Sequence, residues 1–284
     1  MGICKNNYIL CYHEIKQENL NKEIQIINFC DSKSSGGINE EKHKIENKCT
    51  IYINGKEIKF TPKYIFKIAS PQIIKIKFKE PLINGKSLFE GCSTIRKIEG
   101  NNFNASLLKN SSKMFGNCKN LEEINISTWD MSNVEDMNGM FENDFSLKEF
   151  CAPNWNTKNV KNMKNMFFQC ESLKKLVISN WDLEKCTQTD NMFSNCKSLE
   201  ELDISKWKQN LIINSYYLFN DCNSLKKIYL PNCDANDSQY LPFLFKNINK
   251  DCEIDFKKNP KEDLKTENNG ENSNQKISVT RDSP

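Results

Sequence analysis

The chain has no run of about 18 to 20 apolar residues, which excludes a membrane-spanning helix. The short apolar stretch Tyr8-Ile9-Leu10-Cys11-Tyr12 is followed at once by His13 and Glu14, so it is too brief for the core of a secretory signal. There is little net charge: 40 basic and 37 acidic residues leave +3, too weak a field to predict binding to nucleic acid. There are two histidines, His13 and His43, and no P-loop, glycine-rich nucleotide turn or nucleophile elbow, so no catalytic residue is expected. Thirteen cysteines are an odd number in a long chain and include no Cys-x-x-Cys pair, which fits free thiols in a reducing compartment better than a disulfide scaffold or a metal site.

What the chain does have is a repeat. Phe89, Phe115, Phe141, Phe167, Phe193, Phe219 and Phe245 follow one another at intervals of 26 residues without an insertion. Three residues after the phenylalanine stand Cys92, Cys118, Cys170, Cys196 and Cys222, with Asp144 in the third unit. Leucine or isoleucine columns follow, then an aromatic: Phe103, Trp129, Trp155, Trp181 and Trp207.

In Leu121-x-x-Ile124-x-Ile126 the last two apolar positions alternate, which predicts a short strand. In Val134-x-x-Met137-x-x-Met140-Phe141 the apolar spacing is three, three and one, which predicts a short helix. The expected fold class is therefore an α/β repeat solenoid, leucine-rich-repeat-like, with one strand and one helix in each of about seven units. A unit this small cannot bury its own apolar face, so neighbours must stack into a shared core. Asn104, Asp130, Asn156 and Asp182, each after its aromatic, are suited to accept backbone N–H groups in a turn. The cysteine, tryptophan and methionine columns are read as core, the indoles packing on one another, and not as a metal array or a platform for sugars.

The domains expected are an N-terminal strand pair and polar linker over 1–47, a β cap over 48–80, the solenoid over 81–256 and a disordered tail over 257–284. Within the cap, Ile51 to Phe60 carries Asn54-Gly55 between two alternating runs, a hairpin signal. Tyr8 to Ile15 and Glu23 to Phe29 are expected to pair as two further strands.

The segments Trp129-Asp130-Met131-Ser132-Asn133-Val134-Glu135-Asp136-Met137-Asn138-Gly139-Met140-Phe141 and Met192-Phe193-Ser194-Asn195-Cys196-Lys197-Ser198-Leu199-Glu200-Glu201-Leu202-Asp203-Ile204-Ser205 fit one pattern. That pattern resembles the 26-residue surface-protein repeat of the BspA-like leucine-rich-repeat family, also found in mycoplasma-type lipoproteins. The resemblance, over about residues 81 to 256, implies a leucine-rich-repeat-like solenoid and adhesion or protein binding. The third unit departs from it, with Asp144 for the cysteine and Phe150-Cys151-Ala152-Pro153 for Leu-Asp-Leu-Ser, and the stack is expected to be irregular there.

Solenoids bind through their strand-lined face. The strand positions expected to point outward are Glu123 and Asn125, Glu149 and Cys151, Lys175 and Val177, Glu201 and Asp203, and Lys227 and Tyr229. The expected function is a non-enzymatic scaffold for a protein partner, with no cofactor, metal, nucleic acid or small-molecule substrate. The start Met1-Gly2-Ile3-Cys4 is similar to dually acylated proteins, with Gly2 and Cys4 as the lipidation sites, which points to the cytoplasm or the cytoplasmic face of a membrane. The alternative is a cell-surface adhesin or carbohydrate-binding repeat protein, with possible glycosylation at Asn104, Asn110, Asn125 and Asn236.

Overall fold

The computed structural model describes residues 7–28, 45–208, 211–212, 215–231 and 244–257. The array is a β-solenoid of about six turns. Successive coils contribute one short strand each, β7 (Ile95–Glu99), β8 (Glu123–Asn125), β9 (Glu149–Cys151), β10 (Lys175–Val177), β11 (Glu201–Asp203), β12 (Lys227–Pro231) and β13 (Glu253–Lys257), the first six strands lying in the cap. The strands form because their sequence alternates. In β10, Leu176 is buried between exposed Lys175 and half-buried Val177.

Neighbouring strands run parallel and in register, with Lys97 opposite Glu123, Glu149 opposite Lys175, and Glu201 opposite Lys227, which is in turn opposite Glu253. The ladder is interrupted twice, between β8 and β9 and between β10 and β11. The first interruption falls at the expected irregular unit, where Phe150 replaces the usual leucine. The coils remain stacked across it, the Lys148 N–H donating to the Glu122 carbonyl at 3.2 Å.

The helix expected in each unit is not formed. Between residues 79 and 208 there is no helix, and the stretch Val134 to Phe141 is a succession of tight turns. The N–H groups of Met137, Gly139, Phe141 and Asn143 donate to the next coil, to the carbonyls of Asn162, Lys164, Met166 and Phe168, at 2.8–2.9 Å. The N–H groups between them, of Met140, Glu142 and Asp144, donate three residues back at 3.0–3.2 Å. A helix uses every N–H internally; here every second one joins coil to coil.

The cause is a left-handed residue two before and two after each of the first six core phenylalanines. These are Ser87 and Gly91, Lys113 and Asn117, Gly139 and Asn143, Asn165 and Gln169, Asn191 and Asn195, and Tyr217 and Asp221. A helix of L-residues cannot pass through left-handed backbone every fourth position, which costs about 1–2 kcal/mol per non-glycine residue and is mildest for Asn, Asp and Gly. Apolar spacing of three suits this coil of three-residue turns as well as it suits a helix.

The polar columns close the other corners. Oδ1 atoms of Asn104, Asp130, Asn156 and Asp182 accept the N–H two residues on at 3.0–3.3 Å, as expected of a turn. Asn84, Asn110, Asp136 and Asn162 do the same at 2.8–3.0 Å, and their backbones form single parallel bridges from coil to coil.

Four strands of the cap form one sheet with the first two strands of the array, and two more form a separate pair. β1 (Tyr8–Glu14), β2 (Glu23–Gln25), α1 (Ile45–Lys48), β3 (Cys49–Ile53), β4 (Lys56–Ile58), β5 (Lys63–Ile65) and β6 (Pro71–Phe78) precede β7. The Asn-Gly hairpin joins β3 to β4, with Asn54 and Gly55 both at positive φ. The expected pairing of the first two strands is not formed: β1 lies antiparallel between β6 and β7, and β2 pairs with β5. The sheet order is β4-β3-β6-β1-β7-β8, so the antiparallel β1 covers the first strand edge of the solenoid. The expected linker and tail lie mainly outside the described residues, as do Gly2 and Cys4.

Inside, the seven phenylalanines form a continuous stack with centroids 5.4–6.1 Å apart and planes within 11°. The thiols of Cys118, Cys170, Cys196 and Cys222 each donate to the carbonyl of a phenylalanine in the preceding coil at 3.1–3.3 Å. Burial pushes the Cys222 thiol up to about 12 and the other three well above the usual thiol range. These sulfurs are neutral core atoms.

Candidate protein-binding face

All ten strand positions singled out above lie on the outer face. Glu123, Asn125, Glu149, Cys151, Lys175 and Glu201 are exposed, and Val177, Asp203, Lys227 and Tyr229 are half-buried. The structure brings them together in two groups. A groove of about 830 Å³ lies over the gap between β8 and β9, lined among others by Lys97, Glu123, Asn125, Lys148, Glu149 and Cys151. A smaller one of about 420 Å³ lies over the gap between β10 and β11, between Lys175 and Val177 on one side and Glu201 and Asp203 on the other. Lys227 and Tyr229 contact each other instead, the ammonium 4.8 Å over the ring.

A third hollow, of about 630 Å³, adjoins the first and shares Lys97, Glu122 and Glu123 with it while reaching Glu14, Arg96 and the cap residue Pro71. The outer face is thus continuous from the cap to the third unit. Its charges are linked across coils. Glu122 is held by Lys148 and Arg96, and Arg96 also pairs with Glu14. Lys148 foremost, then Arg96, hold the Glu122 carboxyl below the usual carboxylate range. Lys97 is shared by Glu99 at 3.1 Å and Glu123 at 3.6 Å, and its ammonium is raised by Glu99 first. The Tyr12 hydroxyl donates to Glu99 at 2.8 Å, which lowers that carboxyl.

Lys97 and Glu99 were not among the sequence candidates. They sit 26 residues before Glu123 and Asn125, so extending the same columns one unit back finds them. Tyr12 arrives through the β1–β7 pairing and has no comparable sequence signal.

The four indoles are 1–3% exposed. Those of Trp129, Trp155 and Trp181 donate to the carbonyls of Gly100, Ile126 and Ala152 at 2.8–3.1 Å, and Trp155 stacks on Trp181 at 5.7 Å. They offer no ring face to a sugar. Among the described residues no group of three or more His, Cys, Asp or Glu side chains is placed to hold a metal ion, and no helix is long and apolar enough to cross a membrane.

The 26-residue coil is also what classifies the chain. The profile of a family described as "Mycoplasma protein of unknown function, DUF285" matches residues 83–175 and 149–251, more than half of the sequence. The chain belongs to this family. The matched DUF285 region ends just before β13 and contains every outer strand position from Glu123 to Tyr229. No curated protein matches the chain. Among solved structures it is similar to a leucine-rich repeat protein from Bacteroides ovatus, at 15% identity over 63% of this chain and 67% of that one, with a TM-score of 0.19. The DUF285 profile, not that likeness, assigns the array.

Proposed function

We propose that the protein is a non-enzymatic scaffold whose DUF285 array takes a protein partner on its outer strand face. The observation that carries this is the run of grooves along that face, continuous from the cap to the third unit and lined by carboxylates, ammonium groups, Asn125 and half-buried apolar atoms in place of a uniformly solvated surface. Mixed charge linked from coil to coil is a surface that discriminates partners by electrostatic complementarity. The likeness of the repeat to BspA-like surface-protein repeats, for which protein binding is the usual suggestion, agrees with this reading.

The test is recovery of bound proteins from the native cells by the wild-type chain and by the triple variant Glu123→Ala/Asp203→Ala/Tyr229→Ala. Proteins retained by the wild type are expected to fall about ten-fold or more with the variant, about 1.4 kcal/mol or more of binding, while thermal unfolding shows the variant still folded at the assay temperature. Equal recovery by both chains would remove the strand face as the binding surface.

A further inference from the structure

One outward column of the ladder carries a charge in every coil: Lys97, Glu123, Glu149, Lys175, Glu201, Lys227 and Glu253. Sign alternates at every step but one. The exception is Glu123 to Glu149, two carboxylates on neighbouring coils, and it coincides with the gap between β8 and β9. The other gap, between β10 and β11, has opposite charges across it, Lys175 and Glu201. Like charges directly opposite each other destabilise a strand pair. Here the pair also borders a groove of about 830 Å³ on the outer face.

The negative charge of that groove is not neutralised from within. Its lining holds four carboxylates, Glu99, Glu122, Glu123 and Glu149, against two ammonium groups, Lys97 and Lys148. Lys148 is committed to Glu122, and Lys97 is divided between Glu99 and Glu123. Glu149 is exposed and, although Lys175 stands opposite it in the β9–β10 register, makes no ion pair among the described residues. Two carboxylates fall short of a metal site, and no third ligand of that kind is placed beside them among the described residues. A guanidinium or ammonium set between them would supply the missing opposite sign, and a guanidinium can donate to both carboxylates at once.

We propose that the groove over the β8–β9 gap receives an extended segment of the protein partner carrying an arginine or lysine side chain, which is set between Glu123 and Glu149. The proposal rests on the strand-face reading above and narrows it to one groove and one partner chemistry. Asn125 and the Thr128 region at the groove rim offer hydrogen-bonding groups to the backbone of such a segment.

The experiment is fluorescence anisotropy of the full chain with two labelled octapeptides, one alternating arginine and threonine, the other alternating glutamate and threonine, at fixed salt. The wild type is expected to bind the arginine peptide and not the glutamate peptide. Glu149→Lys is expected to weaken that binding about ten-fold or more and Glu149→Gln about three-fold, with Glu135→Lys on the turn side within about two-fold of wild type. Thermal unfolding of each variant separates lost binding from lost folding, and Glu149→Gln, which keeps the side-chain shape, carries the test if Glu149→Lys is unfolded. Equal weakening by Glu149→Lys and Glu135→Lys, or no binding of the arginine peptide by the wild type, overturns the proposal. A native partner lost by the triple alanine variant but kept by Glu149→Lys sinks this proposal alone, whereas a partner kept by both sinks the strand-face reading itself.

Discussion

Asp144 occupies the position that cysteine holds in the coils before and after it. Its side chain is fully buried, Oδ1 accepts the Cys118 N–H at 2.8 Å, and Oδ2 has no hydrogen-bond partner. Burial raises its carboxyl well above the usual carboxylate range in the folded chain. The unfolded chain releases the carboxyl proton above about pH 3.9. A folded-state pKa above the unfolded one means that the group costs stability as pH rises and ceases to do so below the unfolded value. Asp144→Cys, which restores the column, is therefore expected to stabilise the protein at pH 7 by about 1–3 kcal/mol. The gain should shrink towards pH 4, and thermal unfolding of both chains at the two pH values reads it. At this scale the sequence was informative: core cysteines, core indoles and the departure at Asp144 all stand in columns of fixed spacing. What spacing did not convey was that four of the column thiols and three of the indoles find a backbone carbonyl one coil back.

The strands and the Asn-Gly hairpin were legible because a period of two has one reading. The turns were not, because apolar residues every third position fit both a helix and a coil of three-residue turns. The deciding information lay in another column, Gly91, Asn117, Asn143, Gln169, Asn195, Asp221 and Asn247, two after each core phenylalanine, rich in the residues that tolerate left-handed backbone. That column supports a direct test. Asn195 has φ of 63° and bonds only weakly to its neighbour, Nδ2 donating to Ser194 Oγ at 3.2 Å. Asn195→Gly is expected to leave stability within about 0.5 kcal/mol of wild type and Asn195→Val to lower it by about 1–2 kcal/mol or more in urea unfolding. In a helix the order would be reversed, since valine is the better helix former of the two. The position of β1 was beyond sequence reasoning, because its partners, β6 and β7, lie about 60 to 90 residues away and any alternating strand could have filled the slot.

At the scale of the molecule, a stack of coils must hold its order and protect its ends. Ion pairs between residues 26 apart tie successive coils, Glu135 to Lys161 at 2.6 Å, Glu171 to Lys197 at 2.7 Å and Glu200 to Lys226 at 2.6 Å. Each is exposed and worth little alone, yet a shift by one coil would break many of them together. The first coil is closed by β1, which leaves the outer strand face as the long surface open to a partner. That face could be drawn up from alternation alone, residue by residue. Its division into grooves could not, since these follow the two interruptions of the ladder, and only one of these was marked in the sequence.

The measurement that bears most directly on that face is a photo-crosslinking scan in the native cells, with one crosslinking residue at a time. Positions 123, 149 and 201 on the strand face are compared with positions 135, 161 and 187 on the turn side. The account predicts discrete protein adducts from the first set and none from the second. Adducts from the turn side alone, or from both sets alike, would contradict it.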